Sequence, residues 1–100
     1  MKVLQEEFYE KLKEITTLSD KVNDNDTEKL LSMIQDHAVE ITDLYHEQDD
    51  HYRVETADLI VLCFELLIRE DKDIDDVFTR CLPRFDKKLH LLLKEKQGTK

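Results

Sequence analysis

The chain has 100 residues and 12.0 kDa, which suits a single domain around one hydrophobic core. Hydrophobic residues make up 40% and charged residues 39%, with one Gly, one Pro and no Trp, so hairpin-rich all-β folds and disordered chains are both excluded. Against 24 Asp plus Glu stand only 15 Lys plus Arg, a net charge of −9 that argues against nucleic acid and anionic membrane as partners.

Four amphipathic segments follow one another, and an all-α fold is predicted. The first, about 2–19, sets Leu4, Phe8, Leu12 and Ile15 at helical spacing. A polar stretch from Asp20 to Asp26 follows, where Asn25 with Glu28 suits a capping box. The second helix, about 26–47, carries Leu30, Ile34, Ala38, Ile41 and Tyr45 along one face. Gln48, Asp49 and Asp50 interrupt it without Gly or Pro.

The third helix, about 52–69, is apolar nearly all round from Leu59 to Ile68 and belongs at the centre of a bundle. Glu65, the lone acid within that apolar stretch, either pairs with Arg69 or extends an acidic site from Asp58. Asp73 can cap a fourth helix bearing Ile74, Val77, Phe78, Cys81, Leu82, Phe85, Leu89 and Leu92, which Pro83 should kink or split. Short connections make this one antiparallel four-helix bundle over residues 1–100, with a basic C-terminal tail at about 94–100. Surplus apolar surface on the third helix and at Leu91–Leu93 predicts completion by oligomerisation, as a homodimer or homotetramer.

No apolar run approaches a membrane span, and the acidic N-terminus does not read as a signal peptide, so a cytoplasmic location is expected. Cys63 and Cys81 lie in apolar patterns and are predicted to be buried thiols in place of a disulfide. Residues 1–50 hold 14 acids and 5 bases, whereas Arg84 to Lys100 holds 6 bases and 2 acids.

The acids carry the chemistry. Asp36, Glu40, Asp43 and Glu47 form one stripe along the edge of the second helix, with no Lys or Arg between Lys29 and Arg53 to relieve it. An antiparallel hairpin centred on Asp49 puts Asp43 level with Glu55 and Glu40 level with Asp58. Four carboxylates at one height repel unless cations bridge them, and hard oxygen ligands suit Mg²⁺ or Mn²⁺. The alternative is a solvated acidic face whose register is accidental.

Other constellations are weaker. His37, His46, His51 and His90 are scattered without zinc spacing and fit surface or core-edge packing better than ligation. Phe8, Tyr9, Tyr45 and Tyr52 offer faces for a base, though aromatics at helical spacing are more often core. No Gly-rich phosphate loop or nucleophile elbow is present.

The run Glu40-Ile41-Thr42-Asp43, 11 further residues, then Glu55-Thr56-Ala57-Asp58-Leu59-Ile60 resembles the MazG-like all-α nucleoside triphosphate pyrophosphohydrolases. Their signature is ExxE on one helix and ExxD on the next. Asp43 stands where that family usually has Glu, and Val39 and Thr42 where Glu and Gly are frequent. The similarity continues through Ile74–Val77 and Arg84–Lys88 and covers about residues 27–90.

The resemblance implies that Glu40, Asp43, Glu55 and Asp58 hold Mg²⁺ and act in cleaving a (deoxy)nucleoside triphosphate to monophosphate and pyrophosphate. The basic residues Arg80, Arg84, Lys87 and Lys88 then suit the substrate's phosphates, or equally a helix C-terminus in solvent. A non-catalytic helical interaction module that keeps the fold is the alternative.

Overall fold

A computed structural model describes residues 2–98 as four helices: α1 (Glu6–Val22), α2 (Thr27–His46), α3 (Tyr52–Arg69) and α4 (Ile74–Gly98). No strand occurs among the described residues, so the predicted all-α class holds, and the packing is compatible with a four-helix bundle. The predicted basic tail is helical as far as Gly98, and its last two residues lie outside the described ones.

Local chemistry sets the ends of the helices. The α2 N-cap is Asp26, one residue after the predicted Asn25, and its carboxylate accepts the Glu28 N–H at 3.0 Å. Asp73 caps α4 as predicted, accepting the Asp76 N–H at 3.2 Å. At the other ends a glycine shortage has to be solved three times. Asp24, Gln48 and Asp71 each follow a helix C-cap in the left-handed region, with φ of 54°, 61° and 57°. The next residue's N–H then reaches back to the third-last helical carbonyl: Asn25 to Asp20, Asp49 to Leu44, and Lys72 to Leu67. These closures end α1, α2 and α3 without a single Gly, and at α1 a second residue, Asn25, also lies in the left-handed region at φ 54°.

The most extensive packing is between α2 and α3. Near their turn, the Tyr45 and Tyr52 rings meet edge to face at 5.5 Å; farther along, His37 meets Glu55, so the helices run antiparallel. The inward positions of α2 are Leu30, Ile34, His37, Ile41 and Leu44, spaced alternately four and three apart. Ala38 and Tyr45, which the sequence pattern placed on this face, are exposed. The facing row on α3 runs Tyr52, Glu55, Leu59, Leu62, Leu66 and Arg69.

As predicted, α3 is the central helix, touching α1, α2 and α4. It is not covered all round, however: Val54, Ala57, Ile60 and Cys63 are exposed, which corrects the expectation of a buried Cys63. Both cysteines are free. Helix α1 begins later and ends later than its sequence pattern suggested, turning Tyr9, Leu12, Thr16 and Ser19 inward and leaving Phe8 exposed. It is anchored on the C-terminal half of α3, where Asp20 Oδ1 lies 3.5 Å from Arg69 Nε and the Asn25 carbonyl accepts a bond from the same guanidinium.

Helix α4 is fixed at its start. Ile74 is buried, Phe78 lies 6.0 Å from Phe64 between ring centres, and the Val3 N–H donates to Asp75 Oδ1 at 2.6 Å. Beyond Cys81 every described residue of α4 is exposed, and the helix runs through Pro83 without being split. Its projection explains a radius of gyration of 16.8 Å, where a compact chain of this length has about 13 Å. Among the described residues, the buried apolar side chains are one from each helix: Leu12, Leu30, Leu62 and Ile74.

A non-Gly residue held at positive φ carries a steric cost that Gly escapes. Gln48→Gly is therefore expected to raise the unfolding free energy by about 0.5–1 kcal/mol, read by urea denaturation. Gln48→Val, β-branched at the same φ, should lower it.

Candidate metal centre

Glu55 sits in the α2/α3 seam, where an apolar side chain is the usual occupant. Its side chain is only 12% exposed and lies between two imidazoles. Glu55 Oε2 is 3.3 Å from His37 Nε2, and Glu55 Oε1 is 3.3 Å from His51 Nε2. His37 comes across from α2; His51 stands at the N-terminus of α3, one turn before Glu55. Asp58, one turn after Glu55, is exposed and completes the cluster. A ligand atom from each of His37, Glu55 and Asp58 lies within 4.8 Å of the others.

The orientation of His37 is fixed from behind. Its Nδ1 lies 2.8 Å from the Met33 carbonyl, which can only accept, so Nδ1 carries the proton. In the neutral ring the lone pair is then on Nε2, directed at Glu55. A histidine bound this way through one nitrogen presents the other as a ligand, the arrangement found behind most metal-binding imidazoles.

Of the four acids singled out in the sequence, the structure brings Glu55 and Asp58 into this cluster. Glu40 and Asp43 lie on the next turns of α2, exposed on its outer edge with Asp36 and Glu47. The side chain of α2 that meets Glu55 is His37, six residues before the Asp43 that a hairpin centred on Asp49 placed level with it. The reason is the α2 seam, which turns His37 inward and leaves the acidic stripe at its margin. Arg80, Arg84, Lys87 and Lys88 are exposed on α4, which packs against α3 and makes no helix contact with α2. Arg80 pairs with Asp76 on its own helix at 3.3 Å.

Two concavities accompany the cluster. A recess of about 410 Å³ lies at the hairpin turn, lined by Tyr45, His46, Gln48, Asp50 and Tyr52. A larger cleft of about 590 Å³ lies between the N-terminal segment and the α3–α4 turn, among Lys2, Tyr9, Lys72 and Asp75. The larger cleft is remote in sequence from the ligand set and brings together no comparable group among the described residues.

Glu65 belongs to a different environment. It is 4% exposed at the α1/α3 contact. Burial pushes its carboxyl above the ordinary value; a hydrogen bond from the Ser19 hydroxyl opposes that shift and the charge of Asp20 adds to it. Arg69 is engaged with Asp20 and the Asn25 carbonyl, so neither sequence expectation for Glu65 describes its actual partner.

Comparison with family models, with curated proteins and with solved structures finds no match to this chain.

The raised carboxyl of Glu65 sets a pH dependence. Below the ordinary carboxylate value both folded and unfolded states hold the proton, and Glu65 has no effect. As pH rises, the unfolded state ionises first, so the folded state loses stability until its own, higher pKa is passed. Glu65→Gln keeps an acceptor for Ser19 and removes this loss. Thermal melts should show the variant more stable than the parent at pH 7, with the difference vanishing below about pH 4.

Proposed function

We propose that this chain is a divalent-cation-dependent nucleoside triphosphate pyrophosphohydrolase of MazG-like type, releasing a monophosphate and pyrophosphate. The single observation that carries this reading is the convergence of Glu55 and Asp58, from the ExxD-like run, on one half-buried point of the α2/α3 hairpin. Acids placed there attract cations, and a triphosphate reaches an acidic surface only with cations between.

The residues divide the work by position. Glu55, flanked by His37 and His51 in the seam, offers an oxygen of restricted position; Asp58, exposed, offers one that can turn toward an incoming ion. Glu40 and Asp43 border the same hairpin with oxygens for a further ion arriving with the phosphates. A divalent ion bound there would supply charge neutralisation and polarisation of the phosphoryl group. Tyr45 and Tyr52, edge to face beside the turn, give a nucleoside base a surface to lie against.

The basic residues of α4 have no route to α2 within one chain, and a second copy is their natural carrier. Leu82, Phe85, Leu89 and Leu92 make an exposed stripe spaced three and four apart, which suits pairing with another helix. The same stripe supports the second reading, a helical interaction module without turnover.

Two outcomes are expected. In a screen of nucleoside triphosphates with Mg²⁺, the products should be monophosphate and pyrophosphate, and Glu55→Gln with Asp58→Asn should cut the rate by at least about 100-fold. Release of inorganic phosphate, or no turnover with any common triphosphate, removes the activity reading. Light scattering at micromolar concentration should report a dimer or tetramer, and Phe85→Glu with Leu89→Glu should shift it to monomer.

A further inference from the structure

We propose that His37 Nε2, Glu55 and Asp58 are the protein ligands of one first-row transition ion of the Zn²⁺ or Co²⁺ type, which this site takes in preference to Mg²⁺. The inference concerns the site of the proposed activity and does not depend on turnover.

Three observations lead there. First, the donor set contains nitrogen. Mg²⁺ takes oxygen and keeps its waters, whereas imidazole suits Zn²⁺ and its neighbours. His37 is not at the margin: it occupies an inward position of α2, whereas the oxygen-only alternatives, Glu40 and Asp43, are on the exposed edge.

Second, the tautomer is set. With Nδ1–H bound to the Met33 carbonyl at 2.8 Å, a neutral His37 points a bare lone pair at Glu55 Oε2. Two acceptors then face each other across a half-buried seam. A cation between them turns that repulsion into coordination. The direct alternative, a charged imidazole donating to the carboxylate, favours N···O near 2.7–2.9 Å.

Third, the separation fits. His37 Nε2 and Glu55 Oε2 are 3.3 Å apart. Two ligands about 2.1 Å from a tetrahedral ion lie about 3.4 Å from each other. Neighbouring ligands of an octahedral Mg²⁺, at about 2.1 Å, lie only about 3.0 Å apart. Asp58 is exposed, so a side-chain rotation brings it within reach of the same point, and the fourth position stays open to water or phosphate. His51 stands 3.3 Å from the other oxygen of Glu55, on its solvent side.

The test is calorimetric titration of the full chain, freed of metal by chelation, with Co²⁺ alone and with Mg²⁺ alone, alongside the visible spectrum of the Co²⁺ form. One Co²⁺ per chain is expected, bound at least about 100-fold more tightly than Mg²⁺, with the intense absorption of a four-coordinate ion. His37→Asn, its folding checked by circular dichroism, should lose at least about 30-fold in Co²⁺ affinity and little of any Mg²⁺ affinity. Equal affinities for the two ions in the unmodified protein overturn the proposal, whatever His37→Asn does. Absence of Co²⁺ binding, which a plain imidazolium–carboxylate pair predicts, also overturns it. Co²⁺ selectivity without pyrophosphate release upholds the metal assignment and removes the activity; Mg²⁺-driven release without selectivity does the reverse.

Discussion

A carboxylate in the seam between α2 and α3 is the constraint around which the rest of this molecule is arranged. Burying Glu55 against a second helix costs several kcal/mol unless something positive or protic meets it, roughly the penalty for an unpaired ion in a protein interior. His37 and His51 flank it at 3.3 Å, and with Met33 holding the His37 proton on Nδ1, the proposed cation between His37 and Glu55 is what would meet the charge. An apolar residue at position 55 would zip the hairpin more simply. The polar interruption lies in the half of the hairpin nearer the turn, while the contacts of α1 that involve Glu65 and Arg69 fall on the other half. The contacts with α1 and the His37, Glu55 and Asp58 cluster therefore fall in opposite halves of the hairpin.

That separation depends on how the chain turns. With its one glycine near the C-terminus, it ends α1, α2 and α3 on Asp24, Gln48 and Asp71 in the left-handed region. Each such turn carries strain and each is closed by a backbone bond back into the last turn of the helix. The resulting connections are short and well defined, so the hairpin register is fixed by the turn as much as by the seam. Polar residues at these positions also suit solvent-facing corners, which a chain with 39% charged residues can supply freely.

Helix number, order and approximate bounds were legible in the sequence because apolar spacing reports them directly. So were the Asp73 cap and the central place of α3. What misled was counting only apolar residues as inward. The α2 row 30–34–37–41–44 is a regular alternation of four and three, but its middle member is histidine, so Ala38 and Tyr45 looked like better members of the face. On α3 the same thing happens at Glu55. Two polar residues that face each other across a seam are each invisible to a pattern read along one helix. Likewise Ser19 meets Glu65 from α1, a partner that no spacing within α3 could indicate.

The far half of α4 completes the logic. A proline at position 83 leaves the Thr79 carbonyl without an intrahelical N–H, yet the helix continues through Gly98. Continuation past that weak point, in a segment where every residue is exposed, is not supported by burial within this chain. Leu82, Phe85, Leu89 and Leu92 instead make a seam of the same spacing as those of α2 and α3, without a partner helix in this chain. Helical stability in proteins comes mostly from packing of an amphipathic face, so a seam so regular is best stabilised by contact with another helix. In the proposed self-association the acidic margin of α2 and the basic residues of α4 would complement each other, because each holds the charge that the other lacks. Association by that route would bring Arg84, Lys87 and Lys88 of one copy toward the acids of the next, assembling across copies what a single chain keeps apart.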